Sequence, residues 1–380
     1  MKKLVLASAI SALFAAPVAA FAQAKPPAVP TLDKIFEASG ITESGYIDAG
    51  YSYANRNIEA GVAGTGTPPR VFDNQNNSFA LHQLGLTLAK QPKEGFGGLV
   101  NFTVGKDAEV IHSFPESLAP ASMFDVTQAY LQYANGSLTV IGGKFATLHG
   151  TEVIASTGNT NVSRSILFGS VPFTHTGLRA TWAASDAISV IVGVNNGWDQ
   201  VTDQNRQKTA ELGVVLTPIK PLSITVSGYS GSEVSPVVAT NSGTRTSANV
   251  VASWAFTDAF SIGLEYLSVS QDNVFADGSK AKYSGYAGYL TWMMTPKFRA
   301  VVRAESFDDH DGARFNTVAL ATPGTKYTEG TLTLAYLPTD NFELRGEVRE
   351  DKANQAVYIQ YDGTTSKTLM TMALQGLYKF

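Results

Sequence analysis

The sequence contains no cysteine. That excludes a disulfide scaffold, thiolate metal centres and cysteine catalysis. Charge is scarce too: 16% of residues are Asp, Glu, Lys or Arg, where soluble domains carry roughly 25%. There is no basic excess, with 28 Lys and Arg against 32 Asp and Glu, so nothing points to nucleic acid as a partner. Beyond the N-terminus no run approaches the ~18 apolar residues of a transmembrane helix. The 380 residues are instead rich in Gly (34), Phe (20) and Tyr (15), and 44% are hydrophobic.

The N-terminus reads as an export signal. Lys2 and Lys3 precede an apolar stretch from Leu4 to Ala20, and Ala20-Phe21-Ala22 is a small-x-small cleavage site. We expect residues 1–22 to be removed on export across the inner membrane. No cysteine follows the site, so a lipid anchor is not expected. KPPAVP (25–30) is an extended linker that cannot join a sheet. Thr31 can cap a short helix at 31–39, with Leu32, Ile35 and Phe36 on one face and Gly40 at its end. Residues 23–40 are thus a periplasmic linker with a short helix, and residues 41–380 are the body of the protein.

In that body the hydrophobic period is two. Phe96, Gly98, Val100, Phe102 and Val104 alternate with small or polar residues, as do Ile188, Val190, Val192 and Val194, and Phe342, Leu344, Gly346 and Val348. Short connections rich in Pro, Gly, Asn and Asp, such as ANGS (134–137), TPK (295–297) and PTDN (338–341), suit tight turns. They alternate with long ones at about 54–77, 106–123, 146–175, 196–208, 230–246, 270–281, 307–327 and 351–366. About sixteen strands result, near 41–53, 79–90, 95–105, 124–133, 138–145, 176–183, 188–195, 209–217, 222–229, 247–256, 260–269, 282–294, 298–306, 328–337, 342–350 and 367–380. Strand, short turn, strand, long loop is the repeat of an all-β transmembrane antiparallel barrel with short periplasmic turns.

Alternation alone would also suit a soluble sheet. Aromatic residues, including Tyr53, Tyr133, Trp182, Trp254, Trp292, Phe298, Tyr336 and Tyr378, gather near strand ends, where membrane barrels carry their girdles. The chain closes on MTMALQGLYKF (370–380). Alternate residues there are apolar or small, and Tyr378 and Phe380 occupy the third-last and last positions. This resembles the signal read by the outer-membrane barrel assembly machinery.

The resemblance extends to a family. SGYIDAGYSY (44–53), FDVTQAYLQYANG (124–136), IGGKFATLHGTEVI (141–154), NTNVSRSILFG (159–169) and PFTHTGLRATW (172–182) resemble the OmpL-like β-barrel porins of Gram-negative bacteria. This implies an outer-membrane barrel with channel activity, no agreed substrate and no catalytic residues.

Sixteen strands enclose a water-filled lumen, so passive diffusion of small hydrophilic solutes is the expected function. A channel specific for sugars or organic acids and a plugged structural or adhesive barrel are the alternatives. By parity the pore is lined by Asp48, Glu211, Glu265, Glu305, Glu343 and Glu347, opposed by Arg179, Arg299, Arg303, Arg345 and Arg349. Such opposed signs set a transverse field, and their near balance predicts weak ion selectivity. The third long loop, about 147–176, is the longest and resembles the constriction loop of trimeric porins. It carries His149, Glu152, Arg164, Phe168, Phe173 and His175. Its apolar segments 166–168 and 171–173 suit packing against the barrel wall, against other loops or at a subunit interface. The expected partners are outer-membrane lipid, the assembly machinery, small solutes and two further copies in a homotrimer.

Enzyme chemistry finds little support. There are five histidines and no G-x-S-x-G around any serine, so no catalytic residue is assigned. No cofactor is expected. Asp308-Asp309-His310-Asp311-Gly312 lacks EF-hand spacing and reads as a solvated acidic loop, so no metal is assigned. Gly61, Gly64 and Gly66 are turn glycines. Tyr46, Tyr130 and Tyr229 point inward by parity, the only hint of an aromatic track.

Overall fold

The computed structural model describes residues 31–58, 70–118, 122–315 and 324–380. The export signal, the Pro-rich linker and Gly61, Gly64 and Gly66 lie outside the described residues. Two units are distinct, residues 1–41 and 42–380.

In the first unit, helix α1 (Leu32–Ser39) ends at Gly40, which takes the left-handed conformation at φ 68° that glycine adopts without steric cost. Thr31 precedes the helix in extended conformation. It makes no side-chain cap, and its carbonyl instead accepts the Ile35 N–H.

The second unit is a closed antiparallel barrel of sixteen strands. They run β1 (Thr42–Ala54), β2 (Ser78–Lys90), β3 (Glu94–Val104), β4 (Phe124–Asn135), β5 (Leu138–Ala146), β6 (Thr174–Ser185), β7 (Ile188–Asn195), β8 (Thr209–Ile219), β9 (Leu222–Val234), β10 (Ser242–Ala255), β11 (Phe260–Gln271), β12 (Ala281–Thr295), β13 (Phe298–Asp309), β14 (Thr325–Thr339), β15 (Phe342–Ala353) and β16 (Thr368–Lys379). Each pairs with its sequence neighbours, and β16 pairs with β1 to close the cylinder. Connections of a few residues join the strands at one end, and the eight long loops rise from the other.

Differences from the predicted spans concentrate at the loop ends. β9 and β10 continue through SGSEV and SGTRT, which shortens loop five to 235–241. Apart from Val234, these extensions carry only glycine and polar residues, so they offer no alternation to read. Loop two contains a one-turn helix, α2 (Ala108–Ile111), and loop eight a two-residue ribbon of Tyr358–Ile359 with Thr365–Ser366.

The two faces of the wall settle its surroundings. Outward side chains are large, apolar and bare: Phe96 is 80% exposed and Leu374 65%. Inward ones include Arg303 at 0% and Arg349 at 1%. A soluble sheet would hide the leucines and hydrate the arginines; this distribution fits hydrocarbon outside. Near the short turns the aromatic rings form a belt, with Phe256 stacked on Phe260 and Phe260 on Trp292 at 5.9 and 5.6 Å and Phe298 on Tyr336 at 5.0 Å.

The closing seam has a tight spot. Gly45 and Phe380 exchange two backbone hydrogen bonds of 2.9 Å, and a Cβ on Gly45 would lie 2.3 Å from the Phe380 ring. Gly45→Val is therefore expected to displace that ring and weaken closure by about 1–3 kcal/mol. A lower midpoint of the heat-dependent shift in gel mobility would show it; an unchanged midpoint would refute it.

Candidate functional site: the lumen and its third loop

Loop three (147–173) turns inward and is buried along most of its length. A buried loop must find partners for its main-chain groups, and the barrel wall supplies them. Glu347 accepts the N–H groups of Val162 and Ser163 at 2.7 and 2.9 Å. Glu305 accepts those of Ile166 and Leu167 at 2.6 and 3.2 Å. Glu265 accepts Thr151 N–H at 2.8 Å, and Asn249 accepts Gly150 N–H at 3.0 Å. Arg345 donates to the Asn161 carbonyl and Arg349 to that of Arg164.

Arg303 is the most connected of these groups. Its guanidinium reaches Glu152 of the loop at 2.7 Å, the Ser163 carbonyl at 2.8 Å and Glu329 of β14 at 2.6 Å. Glu152 also accepts Ser165 N–H at 2.6 Å. Arg164 stitches the loop to itself through the carbonyls of Val153, Ile154 and Val162. Its guanidinium lies over the Phe72 and Phe168 rings at 5.3 and 5.7 Å. Phe168 and Phe173 meet at 5.2 Å in an apolar cluster with Val71, Phe72 and Ile111, so loops one, two and three share a small core. Ile166, Leu167 and Val171 pack on the wall residues Leu267 and Phe307.

At its entry the loop rests on His149. The ring sits between the Ser227 and Ser247 hydroxyls at 2.8 and 2.9 Å and edge-on to Tyr229 at 4.6 Å. Burial, reinforced by neighbouring His175, pushes the His149 pKa down to about 3, so the imidazole is neutral at physiological pH.

The predicted residues come together differently from expectation. Rather than two charged walls facing open water, most charges are neutralised where they stand, because opposite signs sit on the same strand or on strands no more than two places apart. Arg345 meets Glu343 at 2.7 Å, and Glu343 also pairs with Arg299. Arg349 meets Asp351 at 2.6 Å, and Arg179 meets Glu211 at 2.6 Å. Asp48 accepts a hydrogen bond from Gln375 at 2.8 Å. His175 belongs to β6 rather than to the loop; it stacks on Tyr229 at 4.3 Å and contacts the Gly197 carbonyl. Tyr46 bonds Gln83 at 2.6 Å and, like Tyr229, is buried, so no aromatic track is formed. Asp309 and Asp311 accept main-chain N–H groups of loop seven and β12.

Sequence reasoning missed Glu329, Asp351 and Arg70, which extend this network through contacts at 3.6 Å from Glu329 to Arg349 and 3.4 Å from Asp351 to Arg70. Parity in β14 and β15 could have found the two acids; Arg70 lies in a loop, where parity says nothing. The opposite arc of the wall is different. Asn101, Gln128, Tyr130, Thr139, Ile141, Thr181 and Ser189 stay partly exposed, and all are uncharged.

Residues 40–379 match the family described as "Putative beta-barrel porin-2, OmpL-like". The chain belongs to this family. It is a porin of the outer membrane. No curated protein matches the sequence, but solved structures share the porin's architecture. The outer-membrane channel DcaP of Acinetobacter baumannii superposes with a TM-score of 0.59 at 15% identity, over 90% of this chain and 97% of that one. The anion-selective porin of Comamonas acidovorans gives 0.59 at 11%, over 90% and 99%. OmpT of Vibrio cholerae in its trimer form gives 0.60 at 12%, also over 90% and 99%. At such identities the likeness is one of fold.

Proposed function

We propose that this porin is a narrow diffusion channel for small hydrophilic solutes with weak ion selectivity, and that it catalyses no reaction. The observation that carries the reading is the division of the lumen wall. Inward charges from β11 to β16 are engaged by one another and by loop three, while on the arc from β3 to β7 the partly exposed side chains are uncharged and the charged ones, Asp125, Lys144 and Arg179, are buried in ion pairs. Solutes therefore pass along hydroxyl, amide and aliphatic side chains, with little net field to sort ions by sign.

The leader at 1–22 directs export, and Tyr378 and Phe380, on the outer face at the end of β16, present the assembly signal. The exposed apolar wall meets lipid. Trimeric assembly is proposed by analogy with OmpT of Vibrio cholerae, which is solved as a trimer.

Single-channel recording of the refolded protein under a KCl gradient tests the reading. Small steps with a reversal potential near zero are expected. The natural absence of cysteine permits a direct probe of the path. Thr181→Cys should react with a charged methanethiosulfonate reagent and lose current. Thr333→Cys, on the wall that is 0% exposed beneath the loop, should not react. Silence from a folded barrel would favour the plugged barrel instead.

A further inference from the structure

Outside the charged network lies a separate chamber of about 220 Å³. It is walled by the outer ends of β10, β11 and β12 and by loops three to seven. Trp198, Asp199, Arg245, Gln271, Tyr283 and Arg314 line it. Apolar side chains such as Val171 and Val269 complete it.

Its arginines differ from the others of the lumen. Arg70, Arg179, Arg299, Arg303, Arg345 and Arg349 each lie within 4 Å of a carboxylate. Arg245 bonds instead to the neutral Gln271 amide oxygen at 2.7 and 2.9 Å and to the Val234 carbonyl, and lies 4.8 Å from the Trp198 ring. The Arg314 guanidinium lies 4.9 Å from the Phe315 ring; among the described residues it makes no hydrogen bond and has no carboxylate within 4 Å, although the charges of Asp309 and Asp199 still act on it. Burial lowers the Arg314 pKa below its ordinary value. The one carboxylate of the chamber is already engaged: a single Asp199 oxygen accepts the N–H groups of Phe173 and Thr174 at 2.8 and 2.9 Å. Two partly buried cations thus share a chamber whose carboxylate reaches neither guanidinium within 4 Å, and a bound carboxylate would supply that contact through charge-assisted hydrogen bonds.

We infer that this chamber binds a small aromatic carboxylate, its charge held by Arg245 and Arg314 and its ring set among Trp198, Tyr283 and the aliphatic wall. The volume lies below the ~300–1,000 Å³ of drug-sized pockets, which limits the ligand to about one ring. Trp198 and Tyr283 distinguish this site from a bare oxyanion site, because they offer flat apolar surface beside the charge. The chamber borders loop three at the outer mouth, so the inference deepens the channel reading by naming a solute class, and it rests on that reading only for its role in transport.

Calorimetry on the refolded full-length protein in detergent tests it, with benzoate as the probe and benzamide, acetate and inorganic phosphate as comparisons. Benzoate is expected to bind at least tenfold more tightly than any of the three. Arg314→Gln and Arg245→Gln should each weaken benzoate at least tenfold, and Arg314→Lys should restore part of the loss. Heat-modifiable gel mobility confirms that each variant is folded. Benzamide equal to benzoate, phosphate or acetate equal to benzoate, or variants that bind as the parent does would each overturn the inference. KCl conductance is recorded separately: its absence would sink the channel reading while leaving the binding result to stand by itself.

Discussion

Arg303→Ala is expected to release loop three from the barrel wall. The side chain is fully buried and joins Glu152, Ser163, Glu329 and Thr331. Removing it leaves Glu152 without its cation and Glu329 with Arg349 alone, at 3.6 Å. Breaking a buried ion pair from one side destabilises by about 3–5 kcal/mol, far more than the ~1 kcal/mol of a surface pair. The barrel itself need not unfold, because its interstrand ladder is independent of this residue. The loop is the weaker partner and should yield first. Larger and noisier single-channel currents are expected, together with a lower heat-modifiability midpoint. Thr331→Val, which keeps the cation and removes only the hydroxyl's 3.3 Å contact to the same guanidinium and its 2.5 Å hydrogen bond to Glu329, serves as the milder control. A variant with parental current and midpoint would show that the loop is held by its apolar contacts with Leu267 and Phe307 instead.

Acid should loosen the same loop through His149. In the folded protein burial holds this imidazole neutral down to about pH 3, whereas a released loop exposes an imidazole that titrates near ~6.5. The folded pKa is thus the lower one, and the released state takes up the proton first. The contribution of His149 to anchoring is complete above about pH 6.5 and falls by about 1.4 kcal/mol per pH unit below it. Over the whole window to pH 3 the loss approaches roughly 5 kcal/mol. Channel current should therefore begin to fluctuate as the pH drops below 6. His149→Gln retains hydrogen-bonding capacity toward Ser227 and Ser247 and removes the proton site, so its current should depend on pH by about one proton less. Identical pH profiles for the two proteins would refute this assignment.

The barrel was legible because its physics is local. Alternation along each strand reports which face meets lipid, and turn residues report where the chain reverses. Both signals survive without knowledge of any distant residue. They fade where the environment stops being two-sided, as at residues 230–234 and 242–246, where all but Val234 are glycine or polar and the strands still pair. The lumen was legible only as a set of inward positions. Parity placed Arg303 and Glu305 on the inner face, but not the fact that one carboxylate caps the loop backbone while the guanidinium grips Glu152. Those contacts join residues some 140 positions apart and depend on the path of loop three, which has no periodicity. The chamber at Arg245 and Arg314 was invisible for the same reason: it is assembled from three strands and five loops.

The seam between β1 and β16 has a consequence for the life of the polypeptide before it reaches the membrane. Every other seam joins strands adjacent in sequence, and can form as a hairpin once its second strand exists. This one pairs Tyr46 with Lys379, so β1 must wait for nearly the entire chain. Until then the growing sheet has two raw edges, each able to pair with the wrong strand or with another copy. Bringing ends so far apart together carries the largest loop-closure entropy in the molecule, and non-local pairing of this kind is slow and prone to aggregation. The polypeptide thus stays an open ribbon until its last strand exists, and the committed step of its closure is the meeting of its first strand with its last.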